Sequence, residues 1–145
     1  MSSVSAALYG LIQHTMLHDR MGGDERISLR RGSEEDLDVL VALSRRRSEE
    51  QHNVDEEDLA QLKGRLRDMI RAEFVSFLFE VRGKVIGYSL VSRRTDPLSI
   101  IEYFLVPEER GKGYGYEAVA KLLDATNSTS IDVSANAWRE AAGAM

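Results

Sequence analysis

The chain has 145 residues, 43% of them hydrophobic, which suits one main domain with a single core. It contains no cysteine, so disulfides, thiolate metal sites and cysteine nucleophiles are excluded. The formal charge of −5 argues against a nucleic-acid partner, and the lack of a basic signal-peptide start or a membrane-length apolar run predicts a cytoplasmic protein with no membrane partner.

The N-terminal residues are predicted to form an extension that precedes the main domain. Apolar residues recur near helical spacing over residues 4–17, and two glycines at positions 22 and 23 then interrupt the pattern. We therefore expect a helical extension over residues 1–24 and the main domain over residues 25–145.

A strand and two helices are predicted to open the main domain. Residues 26–31 alternate apolar and polar side chains, and Ser33 with Asp36 can form the capping box of a following helix. A second amphipathic helix is predicted from about Asp55, after a link over residues 51–54. The arginine run 45–47 of the first helix is interpreted as a solvated face balanced by nearby glutamates, in preference to a phosphate-binding patch.

The second half of the chain is predicted to contain a three-stranded meander, a helix, a further strand and a last helix. These elements are expected at residues 74–81, 85–92, 99–106, 118–125, 130–135 and 138–145. A helix following the strand that a glycine loop closes is typical of a mixed α/β fold.

The stretch V-P-E-E-R-G-K-G-Y-G-Y, residues 106–116, joins the fourth predicted strand to this helix. A glycine-rich loop at the start of a helix presents main-chain N–H groups and the positive end of the helix dipole, and this combination predicts an anion site. The dinucleotide pattern fails because Tyr116 stands where its third glycine belongs, and the Walker pattern fails because Gly113 follows Lys112. The alternative is a tight turn without a ligand.

R-G-K-G-Y-G, residues 110–115, resembles the acetyl-CoA-binding motif [R/Q]-x-x-G-x-[G/A] of the GNAT superfamily of N-acetyltransferases. I-S-L-R-R-G-S-E-E-D-L resembles the family's first strand and helix, and L-F-E-V-R-G-K-V-I-G-Y-S-L-V resembles its second and third strands. The resemblance covers about residues 25–136. It implies an α/β fold with a mixed sheet that binds acyl-CoA, truncated here after the fifth strand and its following helix.

The resemblance also implies a site for acetyl-CoA as co-substrate, without a metal. The loop backbone would hold the pyrophosphate, and the main chain of Leu105 and Val106 would bond the pantetheine arm where the fourth and fifth strands splay apart. The cofactor-binding residues implied in this way are Leu105, Val106, Arg110, Gly111, Lys112, Gly113, Tyr114, Gly115, Tyr116 and Asn136.

Acetyl transfer to an amine needs a base for the acceptor and a proton for the leaving thiolate. Glu102 on the fourth strand is our candidate for the catalytic base, directly or through a water, ahead of Asp132 and Glu80. Each of these carboxylates has an alternative interpretation as a surface or ion-paired group. Residues 138–145 contain no tyrosine, so solvent or a tyrosine from elsewhere would act as the acid.

The sequence therefore predicts an acetyl-CoA-dependent N-acetyltransferase that acts on a primary amine of a small molecule or a protein. The alternatives are a catalytically inactive acyl-CoA-binding regulatory or structural module and an interaction protein whose glycine loop is only a turn.

The fifth strand is expected to be an exposed edge, or to be covered by the N-terminal helix or by a second subunit. Since an uncovered apolar edge favours association, we expect a homo-oligomer.

Overall fold

The structure, a computed structural model, describes residues 2–4, 27–50, 58–93 and 97–133. The strands are β1 (Ser2–Val4), β2 (Ser28–Arg31), β3 (Phe74–Val81), β4 (Lys84–Ser92), β5 (Leu98–Leu105) and β6 (Ile131–Val133). The helices are α1 (Leu37–Glu50), α2 (Leu59–Ala72) and α3 (Tyr114–Thr126), with 3-10 turns at Glu34–Asp36 and Pro107–Glu109. No helix within these ranges is both long and apolar enough to cross a bilayer.

The six strands form one sheet in the order β1-β6-β5-β4-β3-β2. Only the β5–β6 pair is parallel, and every other neighbouring pair is antiparallel. A parallel pair needs a crossover connection, and α3 provides it between β5 and β6. The mixed α/β fold predicted from the sequence is confirmed.

Helices α1 and α3 lie on opposite faces of the sheet. Glu102 of β5 contacts Arg47 of α1, whereas the next residue, Tyr103, contacts Gly115 of α3. Since successive side chains of a strand point to opposite faces, α1 and α3 cover different sides. The core therefore has two layers, one on each side of the central strands.

A capping box of two side chains starts each of the first two helices. Ser33 and Asp36 form the predicted capping box, in which the Ser33 N–H donates to Asp36 Oδ2 at 2.8 Å. Asp58 and Gln61 form a second box that starts α2. The predicted start of this helix, near Asp55, lies outside the described residues.

Strands β5 and β6 are paired over a short distance only. Their parallel register runs from Leu98 opposite Ile131 to Ile100 opposite Val133, whereas β5 stays paired with β4 as far as Leu105. Among the described residues, the last part of β5 therefore has a neighbouring strand on the β4 side alone. We refer to this side of β5, which no described strand covers, as the opening beside β5.

Ser2–Val4 is the part of the predicted N-terminal extension that the structure describes. Ser2–Val4 is a strand that pairs antiparallel with β6, so the edge of β6 is covered by its own chain. The unpaired edge of a strand offers backbone hydrogen bonds that a short Ser-Ser-Val segment can complete. The remainder of the predicted extension and the predicted last helix lie outside the described residues.

Candidate active site

The glycine loop makes two turns that need glycine. Gly111 has a φ of 78°, and Gly113, the N-cap of α3, has a φ of 86°. Both values lie in the left-handed region that side chains with a Cβ rarely adopt. Two of the three alternating glycines therefore have a direct backbone cause, and α3 begins immediately after the second of them.

The main-chain N–H groups of this loop are open to a ligand. No described residue accepts a hydrogen bond from the N–H of Gly111, Gly113, Gly115 or Tyr116. The first N–H groups of a helix have no partner within the helix, and the positive end of the helix dipole adds to their field. This arrangement can bind a phosphate or diphosphate group.

Two buried side chains that the sequence analysis did not single out fix this loop in place. The Tyr103 hydroxyl donates to the carbonyl of Gly115 at 3.0 Å, and burial raises the pKa of this phenol, which keeps it a neutral donor. Glu117 Oε1 accepts a hydrogen bond from the Ile27 N–H at 2.6 Å. The sequence signal for Tyr103 is a polar aromatic residue on a strand that is mostly apolar.

Arg110 is directed toward the protein in this structure. Its Nε donates to the Leu105 carbonyl at 2.8 Å, its two terminal nitrogens bind Glu50 at 2.7 and 3.0 Å, and its guanidinium lies 5.6 Å from the Phe104 ring centroid. Lys112 pairs with Glu109 at 3.0 Å. The positive charges expected to assist anion binding are thus balanced by carboxylates, so the main-chain groups are the principal anion ligands that the loop offers.

The main chain of Val106 is engaged within the fold. Its N–H donates to the Ile86 carbonyl at 2.9 Å, and its carbonyl accepts from the Glu109 N–H at 3.0 Å. Because hydrogen bonding alternates along a strand, the N–H groups of Leu105 and Tyr103 face the opposite way, toward the opening beside β5. Leu105 is therefore the better placed of the two predicted residues to bond an extended ligand there.

Glu102 lies in a buried cluster on the α1 face of β5. It is 7% exposed, its Oε1 is 3.2 Å from Arg47 Nη1, and its Oε2 accepts from the Tyr88 hydroxyl at 3.0 Å. Burial, and then the negative charge of Glu102, raise the pKa of Tyr88 well above its usual value. Each carboxylate oxygen has two lone pairs, so both keep capacity for a further proton or water. The role of Glu102 as a base stays a prediction.

The two other candidate bases, Glu80 and Asp132, lie on other strands of the sheet. Glu80 contacts Arg30 on the β2–β3 side. Asp132 is half-buried on β6, opposite Ser99. Asn136 lies outside the described residues. Where the structure is described, no three His, Asp or Glu side chains come together as a metal-ligand group.

A cavity of about 290 Å³ is found away from the glycine loop. It lies beside the end of α3 and the other end of β4, and contains none of the predicted site residues. Its lining consists of Arg31, Val75, Phe77, Val91, Ser92, Arg93, Ala125 and Thr126. The candidate active site is therefore defined by the loop and the opening beside β5, and this cavity is a separate feature.

The sheet order, the α3 crossover and the open loop define a mixed α/β fold in which the start of a helix can bind an anion. The family model described as "Acetyltransferase (GNAT) domain" matches residues 26–140. The chain belongs to the GNAT acetyltransferase family, and it is accordingly an N-acetyltransferase. The alternative of a module without turnover has no support in these comparisons.

Solved structures share the fold at low sequence identity. Spermidine N-acetyltransferase from Vibrio cholerae, in complex with CoA and spermine, is 19% identical with a TM-score of 0.59, covering 76% of this chain and 71% of its own. A predicted acetyltransferase from Clostridium acetobutylicum with acetyl-CoA is 14% identical, with a TM-score of 0.58 and coverage of 75% and 80%.

An aminoglycoside acetyltransferase from an uncultured soil metagenomic sample, in complex with sisomicin, is 17% identical with a TM-score of 0.56, covering 75% of this chain and 77% of its own. No curated protein is significantly similar in sequence.

Proposed function

We propose that the protein transfers the acetyl group of acetyl-CoA to a primary amine, with a small-molecule amine as the first choice of acceptor and a protein amine as the second. The observation that carries the proposal is the row of open N–H groups at the start of α3, directly beside the opening between β5 and β6. Structural neighbours that bind acetyl-CoA, spermine or sisomicin support the co-substrate and the amine class.

The residues fit the parts of acetyl-CoA. The N–H groups of the glycine loop suit its diphosphate, and the outward-facing N–H groups of β5 suit the amides of its pantetheine arm. Acetyl-CoA, when bound, supplies the acetyl thioester. The contribution of the chain is to hold this carrier along β5, so that its reactive end lies near the middle of the sheet rather than in bulk water.

In our proposal Glu102 receives the proton that the acceptor ammonium must lose before it attacks. The carboxylate lies on the same face as Phe104, toward α1, and Arg47 and Tyr88 hold it in one orientation. Because Arg47 and Tyr88 each contact one oxygen of this carboxylate, proton transfer through a water fits the geometry better than direct contact with the amine.

The proposal includes a cytoplasmic location and a homo-oligomer. Because Ser2–Val4 covers the edge of β6, association no longer follows from an uncovered strand, and the oligomeric state stays a prediction to be measured by light scattering.

Thiol release from acetyl-CoA tests the enzymatic proposal. The protein is incubated with acetyl-CoA and a panel that contains polyamines, aminoglycosides, amino acids and a lysine peptide, and the free thiol of CoA is followed. We expect release above background with at least one amine and acetylation of that amine by mass spectrometry. CoA binding without release for any amine class would contradict the proposed reaction.

A further inference from the structure

The second half of α1 is joined to the glycine loop by two forked ion pairs. The two terminal nitrogens of Arg46, Nη1 and Nη2, donate to Glu108 at 3.1 and 2.5 Å. The two carboxylate oxygens of Glu50 accept from Arg110 at 2.7 and 3.0 Å. Arg46 and Glu50 are four residues apart on the helix, so they lie on one face. We refer to these two pairs as the α1–loop pairs.

The α1–loop pairs contact the segment that leads into the glycines. Glu108 is in the 3-10 turn after β5, and Arg110 immediately precedes Gly111. Arg110 also donates to the Leu105 carbonyl at 2.8 Å, so one guanidinium joins α1, the end of β5 and the start of the loop. The charges are reversed between the two pairs, since the helix provides the cation to one and the anion to the other.

These pairs are expected to affect the geometry of the loop more than the stability of the fold. The side chains of Arg46 and Glu108 are 45% and 50% exposed, and exposed ion pairs contribute little to the free energy of unfolding. A forked contact, by contrast, fixes relative orientation as well as distance. A loop containing Gly111 and Gly113 has few restraints of its own, so contacts from outside must set its conformation.

We propose that Arg46 and Glu50 are positioning residues for acetyl-CoA. Through Glu108 and Arg110 they hold the loop in the conformation that presents its N–H groups to the diphosphate, and they keep Arg110 away from the ligand. This inference rests on the proposed binding of acetyl-CoA. It assigns a role in co-substrate binding to a helix surface that does not itself contact the diphosphate.

The test uses Glu50→Gln, Arg46→Glu, Glu108→Arg and the charge-swapped double variant Arg46→Glu/Glu108→Arg. Glu49→Gln is the matched control, because Glu49 lies next to Glu50 but its ion pair, with Arg45 at 3.9 Å, stays within the helix. The quantities measured are the Kd of CoA by calorimetry, kcat and KM for acetyl-CoA with an accepted amine, and Tm.

For each single variant of the α1–loop pairs we expect Kd and KM to rise about 3- to 10-fold while kcat changes less than about 2-fold. The double variant should return Kd to within about 2-fold of wild type, because the swapped pair restores the contact. Glu49→Gln should match wild type. Tm should stay within about 3 °C throughout, since the pairs are exposed.

The measurements distinguish a failure of the proposed function from a failure of this inference alone. Wild-type protein that binds no CoA would overturn the proposed function and this inference together. Wild-type binding with an equal or lower Kd in Glu50→Gln would overturn the inference alone, because it would show that the carboxylate only repels the ligand. A double variant no better than its single variants would likewise overturn it.

Discussion

Gly111 and Gly83 provide a matched pair of sites for testing the glycine loop. Both have a φ of 78°, and a Cβ built at either position meets no atom within 4 Å. Gly83 lies in the hairpin between β3 and β4, whereas Gly111 lies among the open N–H groups. An alanine substitution therefore imposes the same backbone strain at each site, and the two variants differ in what approaches the new methyl group.

The strain of a left-handed alanine costs about 1 kcal/mol, so Gly111→Ala and Gly83→Ala should each lower Tm by about 2–4 °C. The space beside Gly111 is where we place the diphosphate, and a methyl group there should remove one charge-assisted hydrogen bond. Such a bond contributes about 1.5–3 kcal/mol, which corresponds to a roughly 10- to 100-fold increase in Kd.

The assay is calorimetric titration of CoA into both variants, alongside thermal unfolding without ligand. Gly83→Ala should bind CoA like wild type despite its lower Tm, and Gly111→Ala should bind weakly. Equal affinities for the two variants at equal loss of stability would show that the diphosphate does not approach this loop, and the site would then be misplaced.

Three further predictions concern β4 and β5. Glu102→Gln should lower kcat by about 10²-fold or more without raising the Kd of CoA, and an unchanged kcat in thiol release would remove this residue as the base. Burial raises the pKa of Tyr88, so its phenol contributes stability below about pH 10, and this stability is lost as the pH rises further. Tyr88→Phe should therefore lose less free energy of unfolding at alkaline pH, measured by urea unfolding. The same dependence of the free energy of unfolding on pH in the variant and in wild type would contradict this. Gly87→Ala should lower the free energy of unfolding by about 3 kcal/mol, because the new Cβ would lie 2.2 Å from the Phe104 carbonyl oxygen. Gly64→Ala on α2, where a Cβ meets no atom closer than 4.0 Å, should stabilise the protein slightly. Equal effects of the two substitutions in urea unfolding would refute the close approach at Gly87.

Much of the fold could be predicted because its signals are local. The alternation in residues 26–31, the Ser33–Asp36 capping box and the glycines before α3 each depend on residues close together in the chain. The same locality applies to the loop, where positive φ angles explain the glycines at Gly111 and Gly113, while the binding role of the loop stays a prediction.

What could not be predicted depends on pairs far apart in sequence. Arg46 meets Glu108 across 62 positions, and Glu117 meets Ile27 across 90. No local pattern encodes such partners. The interpretation of the arginine run as a solvated face holds for Arg45 and Arg46, although Arg46 pairs with Glu108, whereas Arg47 is largely buried against Glu102. The pairing of β1 with β6 was missed for the same reason.

The central claim is that main-chain N–H groups at the start of α3 bind the diphosphate of CoA. The most direct measurement is an amide NMR titration of the ¹⁵N-labelled protein with CoA. We predict that the largest shifts fall on the amides of Gly111, Gly113, Gly115 and Tyr116, and that the amide of Gly83 does not move. Saturable binding that leaves those four amides unshifted would contradict the claim.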